Sequence, residues 1–405
     1  MTPNTSDTPV EKNATETGDR PAYWSGVFAM SLCVFSLVAS EFMPVSLLTP
    51  IAGDLQITEG MAGQGIAISG ALAVLTSLSI STLAGTMDRK KLLLVLTVLM
   101  GISGAIVALA PNYLTYMTGR ALIGVVIGGF WSMSAAMAMR LVPASQVPKA
   151  LAIFNGGNAL ATVIAVPLGS YLGAAIGWRS AFFALVPVAL IALTWQWITL
   201  PPMKTEARSP SSGNLFKVLR RRTVAYGMAG CGAFFMGQFV LFTYLRPFLE
   251  TVTHVSVSTL SLLLLMIGAA GFIGTVIIGS LLKRGLYAPL ITTPVLMSVI
   301  AVALVPLGAW VVPVAVLLGL WGLMATATPV GWWSWIAQAM PHDAEAGGGL
   351  MVAVIQFAIA LGSIVGGVLF DTSGYQSTFI ASAVVLLTGA FLTFQTSRAQ
   401  DRQSA

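Results

Sequence analysis

Residues 34–50 read Val-Phe-Ser-Leu-Val-Ala-Ser-Glu-Phe-Met-Pro-Val-Ser-Leu-Leu-Thr-Pro, and they hold one acid, Glu41, inside an apolar run that extends from Trp24 to the loop at Asp54. A helix long enough to cross a bilayer takes about 20 residues at about 1.5 Å of rise each, so Glu41 lies roughly 25 Å from Trp24 and roughly 20 Å from Asp54. An ionisable group at that depth costs a few kcal/mol on insertion scales, and it normally faces a bundle interior or a water-filled path rather than lipid. Three residues on, Pro44 has no N–H, which leaves the Ser40 carbonyl without its helical donor beside the carboxyl group.

The rest of the chain has the same character. Of its 405 residues, 56% are hydrophobic and 8% charged, with 41 glycines and a mean hydropathy of +0.87. A soluble chain of that composition would lack a polar surface. Long apolar runs recur near 24–50, 60–87, 92–110, 112–140, 148–173, 179–200, 223–249, 256–282, 286–308, 311–338, 347–370 and 375–396, so the expected fold is an all-α membrane protein with twelve transmembrane helices. With the N-terminus inside the cell, every basic residue except Arg120, Arg179 and Arg246 falls on the cytoplasmic side, which predicts a multi-pass chain with both ends cytoplasmic. The net charge of +6 is therefore assigned to topology, and no nucleic-acid partner is expected.

Residues 1–23 read as a disordered cytoplasmic tail, 24–200 as a six-helix bundle, 201–222 as a Pro- and Ser-containing cytoplasmic linker, 223–397 as a second six-helix bundle and 398–405 as a tail. The two bundles look like copies of one unit. Gly177-Trp-Arg-Ser-Ala-Phe-Phe183 recurs as Gly374-Tyr-Gln-Ser-Thr-Phe-Ile380, an offset of 197, which also places Gln238 opposite Glu41.

Several stretches resemble motifs of the major facilitator superfamily. The turn Gly85-Thr-Met-Asp88-Arg89-Lys90-Lys91 is similar to its Gly-x-x-x-Asp-Arg-x-Gly-Arg-Lys signature, shortened and without the inner glycine, and the resemblance implies a gating turn at Asp88 and Arg89. Arg120-Ala-Leu-Ile-Gly124 looks like the family's intramembrane Arg-x-x-x-Gly, and Gly156, Gly157, Pro167 and Gly169 resemble a degenerate antiporter motif of the twelve-span drug:proton antiporter branch. Closer still are the stretches Glu41 to Pro50, Gly128 to Ser134, Met139 to Pro143, Val147 to Leu151, Phe242 to Pro247 and Pro329 to Trp332, which resemble bacterial purine ribonucleoside efflux pumps. That resemblance implies export of inosine and guanosine from the bacterial inner membrane by proton antiport. It also implies two pseudo-symmetric bundles around a cavity lined by helices 1, 4, 7 and 10. Sugar or drug efflux is the alternative within the same superfamily.

In that architecture Glu41 and Arg120 sit at similar depth and are expected in one cavity. Burial favours a neutral carboxyl and a nearby guanidinium favours a charged one, so cavity hydration could switch Glu41 and couple protons to transport. The competing account is a static buried ion pair. Gln238, Asn155, Asn158, Thr162 and Gln356 supply neutral donors and acceptors for a ribose and a purine edge, or else simply bond helix to helix. Trp321, Tyr244, Phe234 and Phe235 are candidates to stack on a base, whereas Trp24, Trp178, Trp332, Trp333 and Trp335 are expected in the interfacial belts.

Catalysis is not expected, because one deep acid with no deep His or Cys pair makes no catalytic set. No Gly-x-x-x-x-Gly-Lys-Ser/Thr loop is present to hold a nucleotide. His254 and His342 fall in loops on opposite sides, so no metal site is expected, and no cofactor beyond the proton as coupling ion. A monomer in the lipid bilayer is expected.

Overall fold

The computed structural model describes residues 22–143, 146–203, 221–340 and 344–404. The expectations for the tail 1–21, for linker residues 204–220, for His342 and for Ala405 lie outside the described residues.

A segment crossing hydrocarbon must satisfy its backbone polar groups internally, and every crossing here is a helix. They are α1 (Trp24–Leu55), α2 (Glu59–Ala84), α3 (Arg89–Ala108) and α4 (Tyr113–Leu141). Next comes α5, which runs as Val147–Leu160, a π-helical turn Ala161–Ala165, and Val166–Ile176. The helix α6 comprises Trp178–Phe183 and Leu185–Thr199, and α7 comprises Arg222–Phe242 and Leu245–Thr251. Then follow α8 (Val257–Leu282), α9 (Tyr287–Leu307) and α10 (Val311–Ala339). The last run, Ala344–Ser404, is broken at Gly374 into α11 (344–373) and α12 (375–404), which makes twelve crossings among the described residues.

The ends of these helices follow from local chemistry. Thr58, Asp88, Asn112 and Ser256 each cap a first turn by accepting from a backbone N–H, at Met61, Lys90, Thr115 and Thr259. Gly177, between α5 and α6, has φ 86° and ψ 149°, and Gly374, between α11 and α12, has φ 78° and ψ 179°. Both conformations are essentially restricted to glycine, so the repeat seen at an offset of 197 marks one elbow used twice. The break in α7 at Thr243 and Tyr244 has its own cause. Pro247 has no N–H to return to the Thr243 carbonyl.

Buried apolar side chains form two clusters, one drawn mainly from α1–α6 and the other mainly from α7–α12. Small residues allow the helices close approach. A Cβ on Gly124 would meet the Ser69 carbonyl at 2.3 Å, one on Gly128 the Ala73 carbonyl at 2.3 Å, and one on Gly366 the Val240 carbonyl at 2.5 Å. Aliphatic side chains such as Leu83, Ile198, Val276 and Val312 are exposed around the outside, as a lipid-facing wall requires.

Charge separates the two ends of the molecule. One end, called the basic end below, carries Arg89 to Lys91, Arg140, Lys149, Arg221, Arg222, Lys283, Arg284 and Arg398. At the opposite end, Arg179 pairs with Asp54, and the two halves are tied by Asp371, which accepts from Thr58 Oγ1 at 2.6 Å and from the Gly60 N–H at 3.1 Å. There too, Arg246 of α7 donates to the Ser46 carbonyl of α1. The halves are therefore closed on each other at that end.

The tryptophan belt is only partly where the sequence placed it. Trp332 and Trp335 are buried and pack edge to face against each other, with Gly227 leaving room for the Trp335 ring. Trp178 is also buried, packed on Tyr116 and Phe182 with its indole N–H on Asp54 at 3.2 Å. Depth along a helix does not report which face a ring takes, and these three rings face neighbouring helices. Trp333 is exposed, and Trp24 lies under the Lys149 ammonium.

Candidate functional site

Glu41 is 4% exposed on α1, and its Oε1 accepts a hydrogen bond from Gln356 Nε2 of α11 at 3.0 Å. The carboxyl thus sits on the boundary between the halves with a neutral amide as its partner. Close approach makes the contact possible, since Gly70 of α2 leaves space for the Gln356 carbonyl, which a Cβ there would meet at 2.7 Å.

Arg120 is 1% exposed and serves a different purpose from the one expected of it. Its Nη1 donates to the Ser40 carbonyl at 2.6 Å, its Nη2 to the Glu41 carbonyl at 3.1 Å and its Nε to the Gly65 carbonyl at 3.0 Å. It bonds the backbone beside the acid, not the carboxylate, and so joins α1, α2 and α4. A guanidinium presents several donors in a rigid fork, and three carbonyls satisfy it without a second buried charge. The reason that it points there was written into α1, because Pro44 leaves the Ser40 carbonyl open.

A cleft of about 100 Å³ lies between the halves, and Phe42, the residue after Glu41, is part of its wall. Phe42, Thr162 and Val166 line it from the first half, and Gln238, Phe239 and Trp321 from the second. Phe42 and Phe239 are repeat equivalents at the offset of 197, and they stack across the boundary with centroids 5.7 Å apart and planes 29° apart. Phe242 adds an edge-on ring. Two of the residues that line this cleft carry a buried polar atom with no protein partner, the Trp321 indole N–H and the Gln238 Oε1. An unpaired buried polar group costs about 1–3 kcal/mol, and the residues walling the cleft hold one unused donor and one unused acceptor. No charged side chain lines it among the described residues.

The other sequence candidates are placed elsewhere. Asn155 is exposed and donates to the Leu151 carbonyl of its own helix at 3.1 Å, and the Asn158 carbonyl accepts from Thr162 Oγ1 at 3.3 Å; neither asparagine lines the cleft. Tyr244 is fully buried, donates to the Ser363 carbonyl at 2.6 Å and stacks on Phe370, so it is packing between α7, α11 and the glycines of α2. Phe234 and Phe235 pack against each other as buried core, and the ring positions on the cleft belong to Phe42, Phe239, Phe242 and Trp321. The offset that pairs Glu41 with Gln238 also pairs Phe42 with Phe239, which is the signal that would have found them.

Asp88 accepts from the Lys90 and Met203 N–H groups, and the Arg89 N–H donates to the Met203 carbonyl. With Lys90 Nζ on the Leu200 carbonyl at 2.6 Å, this turn clamps the chain that follows α6 within its own half.

Comparison with known proteins follows the same lines. The family model described as Major Facilitator Superfamily matches residues 30–354. The transcription regulatory protein OpdE of Pseudomonas aeruginosa strain PAO1 is 64% identical over 96% of this chain and 97% of its own length. The purine ribonucleoside efflux pump NepI of Salmonella enteritidis PT4 is 40% identical over 91% of this chain and 93% of its own length. Among solved structures, a bacterial homologue of the human lysosomal transporter Spinster superposes with a TM-score of 0.75 at 15% identity, covering 94% of this chain and 98% of that one.

Proposed function

The chain belongs to the Major Facilitator Superfamily, and from that premise we propose that it is a secondary active exporter of purine ribonucleosides, inosine and guanosine among them, driven by proton antiport with alternating access. Its setting is the bacterial inner membrane, with the basic end and both termini cytoplasmic. The observation that carries the coupling is the Glu41–Gln356 hydrogen bond. A titratable carboxyl bridges the two halves beside the cleft, so its charge bears on how the halves meet.

What supports a neutral heteroaromatic cargo is the cleft itself. Aromatic rings accept a flat base, and Gln238 and Trp321 offer an acceptor and a donor to its polar edge. The 40% identity to a pump named for purine ribonucleosides points the same way. The regulatory name of the 64% identical relative carries no substrate. The proton is the coupling ion in this reading and no cofactor takes part. Glu41 couples, Arg120 holds the backbone on which Glu41 stands, and Gln356, Gln238 and Trp321 meet the exchange partners.

Everted vesicles loaded with a pH gradient test it, offered labelled inosine against an unlabelled sugar and a cationic dye. Inosine uptake that collapses with the gradient and resists both competitors is expected. Gradient-driven uptake of the sugar or the dye in its place would move the substrate to the alternative class, sugar or drug efflux.

A further inference from the structure

The helix α1 carries two prolines that leave carbonyls open, and an arginine fills each. Pro44 frees Ser40, which Arg120 of the same half takes at 2.6 Å. Pro50 frees Ser46 in the same way, and Arg246 takes it from the other half. We propose that Arg246 is a latch that holds the halves shut at the end opposite the basic one, and that it lets go of Ser46 each time that end opens. The inference rests on the alternating-access reading and not on the identity of the substrate.

The guanidinium is built for this place. Arg246 is 5% exposed, and its Nε is anchored on Glu250 Oε1, one turn along its own helix, at 2.8 Å. Its Nη1 crosses to the Ser46 carbonyl, and the Ser170 hydroxyl of α5 lies 3.3 Å from the same nitrogen. Ser46 and Ser170 are fully buried. Ser46 does not turn its own hydroxyl to the site, since Oγ donates to the Met43 carbonyl at 2.9 Å. A charged donor on a carbonyl with no helical partner, away from water, is a stronger tie than the Thr58–Asp371 contact at the rim, whose atoms are exposed.

The two arginines do the same chemistry with opposite consequences. When two bundles tilt as bodies, bonds inside a bundle persist and bonds between bundles break. Arg120 lies within one half and Arg246 spans two. Water entering the opened end can hydrate both the released carbonyl and the guanidinium, so release does not strand them.

The test labels Gly53→Cys and Thr251→Cys with nitroxides in the full-length protein, in lipid nanodiscs without substrate. Both positions are exposed, they sit at the ends of α1 and α7, and a Cβ on Gly53 meets nothing within 4 Å. Native Cys33 and Cys231 are buried. Against this background, Arg246→Ala removes the donor, and Pro50→Ala gives the Ser46 carbonyl a helical N–H while leaving every latch side chain in place. Each is expected to raise the ratio of long to short distances about tenfold, the value of one charge-assisted hydrogen bond. Pro44→Ala is expected to leave the ratio unchanged. Unchanged distances in the Pro50→Ala protein, or an equal shift with Pro44→Ala, would overturn the latch. Because no substrate is present, a negative inosine assay leaves this result standing, and unmoved distances with inosine exchange intact remove the latch alone.

Discussion

Arg120 donates to the carbonyl of Ser40, the one carbonyl in that turn of α1 whose helical donor is missing because Pro44 stands four residues on. The side chain thus completes a neighbouring helix instead of neutralising the acid beside it. Its charge is dispersed over three carbonyls drawn from α1 and α2, and Ser69 of α2 in turn bonds the Arg120 carbonyl at 2.9 Å.

Removing the guanidinium should therefore hurt folding, and restoring the missing N–H should soften the damage. Arg120→Met is expected to cost about 3 kcal/mol or more, since it strands buried carbonyls. In a Pro44→Ala background the same change should cost about 1–2 kcal/mol less. Unfolding of the four proteins in detergent, analysed as a double-mutant cycle, measures the difference.

Glu41→Gln keeps an oxygen that can accept from Gln356 Nε2, so the fold should survive the loss of charge. If protons and cargo exchange, each must weaken the binding of the other by the same factor. Inosine binding to the wild type should then weaken as pH falls and the carboxyl fills with protons. In Glu41→Gln it should not vary with pH, and gradient-driven exchange should be lost. Binding measured across a pH series, beside vesicle transport, checks both.

The two unpaired atoms of cleft-lining residues give a third expectation. Gln238→Leu and Trp321→Phe remove an acceptor and a donor while keeping much of the apolar volume, and each should weaken cargo binding about 10- to 100-fold. Phe239→Leu should cost less, about 0.5–1.5 kcal/mol from the lost stacking. Equilibrium binding of labelled inosine ranks the three. The free protein should gain stability, or lose none, in Gln238→Leu, because an unsatisfied group leaves the interior.

The twin elbows supply a fourth. An alanine at Gly177 or at Gly374 must adopt a positive φ at an extended ψ, and each should destabilise its half by about 1–3 kcal/mol. At Gly177 nothing lies within 4 Å of the added carbon, so the cost there is backbone strain alone. Thermal unfolding of the two variants should give similar losses.

Much of this architecture could be read before any coordinates. Apolar runs located the crossings because hydrocarbon leaves the backbone few choices, and the offset of 197 related the halves. The depth of Glu41 and the open Ser40 carbonyl were both arithmetic on one helix. What the chain did not disclose was direction around each helix. Tyr244, Phe234 and Trp335 lie at plausible depths yet face neighbouring helices, whereas Phe239 and Phe242 face the cleft. A helix whose lipid side and protein side are equally apolar has little periodicity to betray which is which. Arg120 was misjudged for a related reason. Opposite charges at one depth suggest a pair, but backbone carbonyls are invisible to a search for partners among side chains.

The stacked rings of Phe42 and Phe239 carry one more implication. They are the same position in two copies of a duplicated unit, and they touch in the middle of the molecule while the ties farther out lie at one rim. Two equal bodies that rock against each other travel furthest at their extremities and least at the fulcrum. In the alternating-access reading proposed above, this pair of rings occupies the fulcrum, so the chamber would tip its mouth from one face of the membrane to the other while its floor stays still.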